Sequence, residues 1–475
     1  MRDKLLQYFQ QHAIYLLLLV YALAGITTIV FFNGTGDHGD SIMHYLFARY
    51  APIHPELYFD HWAKPMFVLI SSPFAQFGFV GMKLFNLSVS LLSMHLTYLT
   101  ARALHIPNPW LVIVFLICMP LNYILTFSGL TEPLFALFLI GAIFLAIRKQ
   151  YIAASVVASL MPFVRSEGLL ILVVFGTWLL LNKQWKYIPL LLSGHLVYAI
   201  AGYFVHHDFF WVFSKIPYSS LEPKYGSGPL MHFAIQLNYV IGIPLYLLLA
   251  AGIFSYPWHW IKKNIKLSQN ETILVFIGFF LFFIAHSLFW NLGIFNSMGL
   301  KRVLLGVAPL ISLMALRGYN LLTFEFLSGK KIVNYIAGGL LLAYVVIFPF
   351  TGNPAAINFE KEMKLTMKQT MAGAVAAHVK TNPLYERHTF LYTDPYLSEA
   401  LNLDHFDVGR RQDLTWQNLA LLQPGDQVVW DNWFAVVETN IALDALLKTP
   451  GLVREINFSA WDDGREIKYV VLRKE

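Results

Sequence analysis

Two acidic residues stand close together in the first polar segment of the chain, where they could do acid–base chemistry. Asp37 and Asp40 lie within 33–41, a segment with three glycines that allow sharp backbone turns. A carboxylate held by such a turn could accept a proton from an incoming hydroxyl group. The alternative is structural: Asp40 is the N-cap of a helix predicted over 41–50, and Asp37 is a solvated loop acid.

Two basic residues, Lys301 and Arg302, lie at the start of a later apolar helix that contains Pro309. A guanidinium group matches phosphate oxygens in a bidentate fork, and an ammonium group adds a point charge. The pair could therefore bind a lipid phosphate. The alternative is that both side chains only extend to ordinary lipid headgroups.

Further ionisable residues are predicted at the ends of apolar helices. Glu132 follows Thr131, while Arg165 and Glu167 share one short turn. Ionisable groups at membrane depth are candidates for function. The alternative is that Arg165 and Glu167 simply neutralise each other.

The histidines have no recognised metal-binding spacing, so no dedicated metal site is predicted. The residues that could supply metal ligands are His38, His44, His54 and His61, with His206, His207 and Asp208. The sequence also has no Gly-rich phosphate loop, dinucleotide fingerprint or serine nucleophile elbow. Nucleotide hydrolysis and nucleotide-sugar chemistry on the inner face are therefore unsupported.

The composition indicates that membrane helices position these residues. Hydrophobic residues make up 57% of the 475 residues, and charged residues make up 13%. A soluble protein could not cover so much apolar surface with polar side chains, whereas lipid can. The formal net charge of +6 is explained by Lys and Arg in alternate short loops, not by a nucleic-acid partner. The single cysteine, Cys118, excludes an intramolecular disulfide framework.

Apolar runs predict about eleven transmembrane helices and therefore a polytopic α-helical membrane protein. Two runs, 151–164 and 168–181, are short and could be a helical hairpin or a partly re-entrant pair. The first run follows Arg2 and Lys4 and lacks a small-residue cleavage site, so an uncleaved helix is predicted. The runs lie at 14–30, 81–101, 110–127, 132–147, 151–164, 168–181, 187–205, 231–254, 272–290, 303–317 and 332–350.

The placement of positive charge predicts a cytosolic N-terminus and an outward-facing segment after residue 350. The predicted cytosolic cations are Arg102, Arg148, Lys149, Lys183, Lys186, Lys262, Lys263, Lys266, Lys330 and Lys331. The loops predicted on the outer side are 33–65, 128–132, 165–168, 206–229 and 291–302. They hold almost all carboxylates and histidines of the first 350 residues, so we expect chemistry at the outer face.

Residues 351–475 have the composition of a soluble domain, which separates them from the membrane domain at 1–350. A small α/β domain is predicted. A helix is expected over 358–380, and strands are expected over 388–394, 427–431, 452–458 and 466–473. Asp462, Asp463 and Gly464 predict a hairpin between the last two strands.

Together these motifs resemble the GT-C superfamily of membrane glycosyltransferases, which take sugars from polyprenyl-phosphate donors. Its members include protein O-mannosyltransferases, aminoarabinose transferases and glycolipid-anchor mannosyltransferases. The resemblance covers roughly residues 10–350 and depends on the order of the motifs. The motifs are Asp40–Tyr45, His61–Pro65, Thr131–Phe135, Arg165–Gly168 and Lys301–Pro309. No acid follows Asp40 directly, and Val303 replaces a family tyrosine, so the sequence departs from the family pattern twice.

The resemblance implies an inverting hexosyltransferase of the inner (plasma) membrane that transfers a sugar such as mannose at the outer face. Asp40 would be the general base, with Asp37 as its competitor, and Arg302 and Lys301 would stabilise the leaving phosphate. Implied substrate contacts are His44, Tyr45, Lys64, Glu132, Arg165 and Glu167. The acceptor hydroxyl would belong to a glycan, a lipid or a protein. No cofactor is implied, and a requirement for a divalent cation stays open.

Three other functions fit a membrane chain of this kind. A lipid-linked glycan flippase would need substrate access from both sides of the membrane. A glycan polymerase or ligase would also use lipid-linked sugars, but on a different fold and usually with a dominant outer Arg/His loop. A non-catalytic assembly subunit would use its outer domain only to recruit partners.

Overall fold

The computed structural model describes residues 2–219, 221–262, 268–326, 331–352, 356–382 and 385–475. Three of the predicted cytosolic cations, Lys263, Lys266 and Lys330, lie outside the described residues. The helices up to residue 351 are Arg2–Phe31, Asp40–Tyr50, Pro55–Phe59, Pro65–Ala75, Gly78–Ala103, Leu111–Ile117, Pro120–Thr126, Glu132–Ile147, Tyr151–Phe163, Gly168–Leu181, Trp185–His206, Trp211–Ser214, His232–Ile241, Ile243–Lys262, Gln269–Leu292, Lys301–Phe326 and Lys331–Thr351.

Six helical stretches in the described residues are long and apolar enough to cross a membrane, judged by length and composition. They are His12–Phe31, Gly78–Ala103, Trp185–His206, Gln269–Leu292, Lys301–Phe326 and Ile332–Thr351. Four shorter apolar helices accompany them: Pro65–Ala75, Glu132–Ile147, Tyr151–Phe163 and Gly168–Leu181. The prediction of a polytopic α-helical membrane protein is confirmed.

The predicted apolar runs are helical, but several boundaries differ from the prediction. The run 110–127 is broken ahead of Pro120, because the residue before a proline is driven away from helical backbone angles. The run 231–254 is interrupted at Gly242, whose φ of 80° ends the first of its two helices. The short helix Pro65–Ala75, which follows the first loop directly, was not predicted.

The helix Lys301–Phe326 is the centre of the bundle. Its most apolar stretch is 94% buried, whereas the first and last of the six stretches are 28% and 22% buried. Helix Ile243–Lys262 approaches it so closely that a Cβ on Gly318 would lie 1.9 Å from the Leu248 carbonyl oxygen. Small residues allow this backbone-to-backbone packing between apolar helices. The side chains on helix Lys301–Phe326 are therefore held deep inside the protein.

The C-terminal part contains five strands: β1 (Phe390–Leu391), β2 (Arg411–Gln412), β3 (Gln427–Asp431), β4 (Leu452–Asp462) and β5 (Arg465–Lys474). They form one sheet in the order β2-β1-β3-β5-β4. β1 pairs in parallel with β2 and β3, and β5 pairs antiparallel with β3 and β4. Helices Met367–Val379 and Pro395–Leu401 cover one face. Shorter helices are Phe359–Glu362, Tyr385–Arg387, Trp416–Leu419, Phe434–Val437 and Leu443–Leu446. This is the α/β domain that the sequence predicts.

Two details of that prediction are wrong. The helix expected over 358–380 is two helices, since the first ends at Glu362 and extended Thr366 caps the second, Met367–Val379, with its side chain. The strand expected over 388–394 is reduced to β1, and two-residue β2 was not predicted, since two residues carry no periodic pattern. The last hairpin is confirmed, with φ of 48° at Asp463 and 76° at Gly464.

The soluble domain lies directly on the first loop. The Gly34 amide donates a hydrogen bond to the Met363 carbonyl (2.7 Å), and the Tyr50 hydroxyl donates to the Leu403 carbonyl (3.1 Å). We call this end of the helix bundle the domain end and the opposite end the far end. The candidate chemical residues are at the domain end.

Candidate active site

Arg302 connects three of the predicted site carboxylates. Its Nη1 donates to Asp37 Oδ2 (3.1 Å), and its Nη2 donates to Asp40 Oδ2. Its Nε lies 3.6 Å from Glu132 Oε1, a carboxylate that is 1% exposed. Residues distant in sequence therefore meet at the domain end of the central helix, as the predicted sidedness requires.

Arg165 extends this cluster into a chain of alternating charges. Its Nη1 lies 2.9 Å from Glu132 Oε1, and its Nη2 donates to Glu167 Oε1 (2.8 Å). Nη1 also donates to the Thr131 hydroxyl (3.0 Å). The turn that carries Arg165 and Glu167 separates the helices Tyr151–Phe163 and Gly168–Leu181, so the short predicted pair is two helices. This places the turn on the same side of the bundle as Arg302.

The two aspartates have different local roles. Asp37 Oδ1 accepts from the amides of Gly39 (2.8 Å) and Ser41 (3.5 Å), so this carboxylate folds the backbone of its own turn. Asp40 is the first residue of helix Asp40–Tyr50, and Gly39 is the N-cap. The Asp40 side chain is 45% exposed, and its Oδ1 has no hydrogen-bond partner among the described residues. The structural alternative of an N-capping Asp40 is therefore wrong.

Ser41 holds the acidic turn (residues 33–41) against the segment that precedes Glu132. Its hydroxyl donates to the Thr35 carbonyl (2.7 Å) and accepts from the Gly129 amide (2.7 Å). A Cβ on Gly129 would lie 2.3 Å from the Ser41 carbonyl oxygen, so this contact requires glycine. Glu132 is brought to Arg302 by this contact.

Lys64 lies beside the same cluster, buried and with a left-handed φ of 68°. Its Nζ donates to the Ser166 hydroxyl (3.2 Å) and lies 4.9 Å from the centre of the Tyr218 ring. Burial lowers the pKa of Lys64 to about 8, although the Glu167 carboxylate partly opposes this shift. Lys64 can therefore lose its charge within the pH range in which enzymes are commonly assayed.

His44 lies on the inner side of the first loop, stacked on Trp62 with 5.0 Å between ring centres. Burial, followed by the charges of Lys64 and Arg302, lowers the pKa of His44 to about 3. It is therefore a neutral ring at physiological pH. Its buried Nδ1 has no hydrogen-bond partner among the described residues.

Two predicted site residues point elsewhere. The Tyr45 hydroxyl donates to Glu399 Oε2 of the soluble domain (3.1 Å) and accepts from Arg49. The exposed Lys301 extends its Nζ over the Tyr239 ring at 5.6 Å and pairs with no carboxylate of the described chain. Neither side chain contacts the carboxylate cluster, because Tyr45 faces the domain interface and Lys301 faces outward.

His286 and Tyr218 also lie at the site, and neither was predicted from the sequence. His286 Nε2 lies 3.7 Å from Glu167 Oε1, and the histidine is 6% exposed. A lone ionisable residue inside an apolar helix is a recognisable signal, and it could have identified His286. Tyr218 has no such signal, because aromatic residues are common in membrane-surface loops.

The described residues bring no three His, Cys, Asp or Glu side chains together in an arrangement suited to a metal ion. Individual histidines are used for structure instead. His61 Nε2 lies 3.1 Å from the Val212 carbonyl, and His206 Nε2 lies 2.9 Å from the Phe59 carbonyl. His54 pairs with Asp404 of the soluble domain at 2.8 Å.

The arrangement can handle an anion and a hydroxyl side by side. An entering phosphate could replace the carboxylates on Arg302, since guanidinium binds either partner through the same fork. The free oxygen of Asp40 could then accept a proton from a neighbouring hydroxyl. Glu132 is almost fully buried and lies between the two guanidinium groups, 3.6 Å from Arg302 Nε and 2.9 Å from Arg165 Nη1.

No protein-family model and no curated protein sequence matches this chain. Two solved structures of ArnT from Cupriavidus metallidurans nevertheless match its fold. The structure bound to undecaprenyl phosphate gives a TM-score of 0.62 at 12% sequence identity, covering 97% of this chain and 98% of ArnT. The apo structure gives a TM-score of 0.60 at 12% identity, covering 96% and 97%. The chain therefore has a GT-C-like fold, and the similarity extends into the soluble domain, beyond the predicted 10–350.

Proposed function

We propose that this chain is an integral membrane glycosyltransferase that uses a polyprenyl-phosphate-linked sugar. The main supporting observation is Arg302, which is held between Asp37, Asp40 and Glu132 at the end of the most buried helix. The GT-C-like fold supports the class of donor, because ArnT of the same fold is solved with undecaprenyl phosphate bound. Since a fold alone does not determine chemistry, the residues at the domain end carry the proposal.

Asp40 is the better general base of the two aspartates. Asp37 uses one oxygen to fold the acidic turn, whereas Asp40 keeps one oxygen free and its side chain is more exposed. Asp40 would take the proton of the acceptor hydroxyl as that oxygen attacks the anomeric carbon. The bond between this carbon and the phosphate oxygen breaks as the phosphate leaves from the face opposite the attacking oxygen. The product therefore has inverted configuration.

Arg302 would hold the leaving phosphate. The electron pair of the breaking bond moves to polyprenyl phosphate, and a guanidinium held in a partly desolvated site stabilises that growing charge. Arg165 and Lys64 would contribute further positive charge, with His44 and Glu167 around the sugar. Glu132 would act by holding the guanidinium groups of Arg302 and Arg165. Lys301 would reach the phosphate only by leaving the Tyr239 ring, and Tyr45 would contribute by holding the interfacial helix rather than by touching substrate.

The sugar that we propose is a hexose such as mannose, and the acceptor is a hydroxyl of a glycan, lipid or protein. We further propose a location in the inner (plasma) membrane, with the N-terminus in the cytosol and the domain end outside. This orientation is supported by the Lys and Arg residues at the far end, among them Arg102, Arg148 and Lys149. Mass spectrometry of lipids that copurify with the protein would identify the donor directly.

Transfer by the purified protein in nanodiscs tests the proposal, with a panel of polyprenyl-phosphate sugars and mass spectrometry of the products. We expect Asp40→Asn to lower transfer about 10²- to 10⁴-fold at unchanged thermal stability, the range typical of general bases. Asp37→Asn tests the competitor. Asp208→Asn is the matched control, because Asp208 lies outside the cluster, in a turn where it accepts hydrogen bonds from the Phe210 amide and the Ser214 hydroxyl. If both aspartate variants keep full activity, the assignment of the base is wrong.

A flippase is distinguished by a second assay on the same nanodisc and vesicle preparations. The proposed enzyme consumes donor in nanodiscs, where no second compartment exists. A protein that only moves a fluorescent polyprenyl-phosphate lipid across vesicle membranes, with no product in nanodiscs, would contradict the proposed function.

A further inference from the structure

The soluble domain reaches the acidic turn through two neighbouring residues of one helix. Gln369 Nε2 donates to the Thr35 hydroxyl (2.8 Å), and that hydroxyl donates to the Asp37 carbonyl (2.7 Å). Gln369 is 1% exposed and Thr35 is 5% exposed. These two hydrogen bonds therefore form a buried connection from the soluble domain to the backbone of the acidic turn.

The Gln369 side chain is divided between two tasks. Its Oε1 accepts from the Thr366 amide (3.1 Å), which completes a capping box at the start of helix Met367–Val379. With the oxygen so occupied, only the amide N–H₂ faces Thr35. The Thr35 hydroxyl must then accept from Gln369, and its own hydrogen goes to Asp37. The direction of both bonds is fixed.

Lys368, the preceding residue, supports the other flank of the turn. Its Nζ lies 4.6 Å and 4.3 Å from the ring centres of Trp433 and Phe434. Asp431 accepts from both of their backbone amides (2.9 and 2.6 Å) and lies 3.7 Å from the same Nζ. The two rings pack edge-on against His38 at 5.9 and 5.8 Å. His38 lies between the two aspartates in sequence.

Burial favours the neutral form of His38, in which it acts as a packed ring. Burial and then the Lys368 ammonium lower the pKa of His38, while Asp37, Asp40 and Asp431 oppose the shift. The acidic turn is thus held by a directional hydrogen bond on one side and by aromatic packing on the other.

We infer that Gln369 is a positioning residue for the aspartate pair, so that the soluble domain forms part of the catalytic apparatus. The inference rests on the proposed function. Through Thr35, Gln369 fixes the Asp37 carbonyl and with it the direction in which Asp40 leaves the turn. Small errors in the position of a reacting group are costly, since a displacement of about 1 Å can lower a rate roughly 10²-fold.

Gln369→Glu tests this role while keeping the shape of the side chain. The introduced carboxylate has nearly the same shape and still accepts from the Thr366 amide, because glutamate serves equally in a capping box. It cannot donate to Thr35, whose hydroxyl then turns to the carboxylate and releases the Asp37 carbonyl. We expect kcat per folded molecule to fall about 10- to 100-fold with KM changed less than about twofold, and Tm to fall by several degrees, because the new carboxylate is buried.

Changes at Thr35 test the same bond from its other side. Thr35→Val should reproduce the loss of kcat, and Thr35→Ser should restore it, because serine keeps the hydroxyl. The double variant Thr35→Val with Gln369→Glu should be no slower than the worse single variant, as expected for two groups that act through one bond. Gln412→Glu is the matched control, since this glutamine donates to the Val408 carbonyl of the same domain, away from the turn.

The outcomes separate this inference from the proposed function. An active wild type whose kcat is unchanged by Gln369→Glu would overturn the inference and leave the function intact. If the wild type transfers no sugar, the proposed function fails. Hydrogen–deuterium exchange over residues 33–41 then decides whether the hydrogen-bond chain from Gln369 through Thr35 holds the acidic turn. Faster exchange of residues 33–41 in Gln369→Glu than in Gln412→Glu supports the positioning role of Gln369, and equal exchange overturns it.

Discussion

The helix Lys301–Phe326 carries two buried arginines whose surroundings differ sharply. Arg317, at the far end, donates through Nε and Nη2 to the two oxygens of Glu271 (2.8 and 2.7 Å). Tyr256 donates to the same carboxylate (3.2 Å). Arg302, at the domain end, divides its nitrogens among three carboxylates, and its buried Nε makes no hydrogen bond within the described residues.

The difference separates an arginine that holds the fold from one that can exchange partners. A bidentate pair satisfies the planar guanidinium with one carboxylate, so any other ligand must first break both bonds. Around Arg302, each carboxylate makes a single contact, and Asp40 is 45% exposed against 1% for Glu271. A phosphate oxygen could replace Asp40 there without dismantling the core. Burial and charge alone would not have distinguished the two arginines.

The largest expected effect is on stability at the far end. Arg317→Ala leaves Glu271 charged and buried, which typically costs about 3–5 kcal/mol. We expect this loss in denaturant unfolding in detergent, while transfer per folded molecule stays near the wild-type value. The control is the double variant Arg317→Met with Glu271→Leu, which removes both charges and should recover most of the stability. A specific loss of transfer at Arg317→Ala would contradict the comparison.

At the domain end we expect a loss of transfer with little change in stability. Arg302→Lys keeps a positive charge but loses the fork, and transfer should fall about 10²- to 10³-fold, as for the removal of one transition-state donor. Thermal unfolding should change little, because the lysine can still neutralise neighbouring carboxylates. Lys301→Ala is the control, and its effect on kcat should be small. Equal activity of wild type and Arg302→Lys would show that the fork is not used.

Glu132→Gln tests the carboxylate shared by Arg302 and Arg165. Removing its charge while keeping its shape should cost about 1–3 kcal/mol in stability, since two buried guanidinium groups lose a partner. It also removes a competitor for phosphate, so donor KM should fall even as kcat declines. Donor titration of purified variants measures both quantities. A higher KM with unchanged kcat would mean that Glu132 binds substrate directly.

The smallest effect is a change in pH dependence at Lys64. Its pKa of about 8 means that the ammonium is present below this pH and is lost above it. If the charge assists transfer, the wild-type rate should fall as pH rises through about 8, whereas Lys64→Arg should keep its rate because guanidinium stays charged. Lys224→Arg is the control in an exposed loop. If the transfer rate of all three proteins falls at the same high pH, the fall is caused by the titration of a group other than Lys64.

The sequence predicted what depends on local pattern and on sidedness. Apolar runs located the helices, and the clustering of Asp37, Glu132, Arg165 and Arg302 on one side agreed with the structure, because alternating spans assign loops to alternate faces. Pro120 and Gly242 are visible breaks that the run-based prediction passed over. The helix Pro65–Ala75 was missed, since eleven residues are too few to span a bilayer.

What the sequence could not predict depends on direction and on contacts between distant residues. Whether Asp37 or Asp40 folds the acidic turn depends on which backbone amides meet the carboxylate, not on composition. Tyr45 follows His44 directly, yet the two side chains face opposite partners because neighbours on a helix point about 100° apart. Gln369 has the signature of a capping residue only, and its contact with Thr35 spans 334 positions.

The burial of the central helix has a consequence for how the protein responds to its membrane. Bilayers of different thickness act on the helices that touch lipid, which tilt or shift to match the hydrocarbon layer. Here the first and last of the long apolar stretches are only 28% and 22% buried inside the protein, while the stretch of the helix with Arg302 is 94% buried. Changes in acyl-chain length should therefore be absorbed at the periphery. Under the proposed function, the distance between Asp40 and the donor phosphate would therefore depend little on the composition of the surrounding lipid.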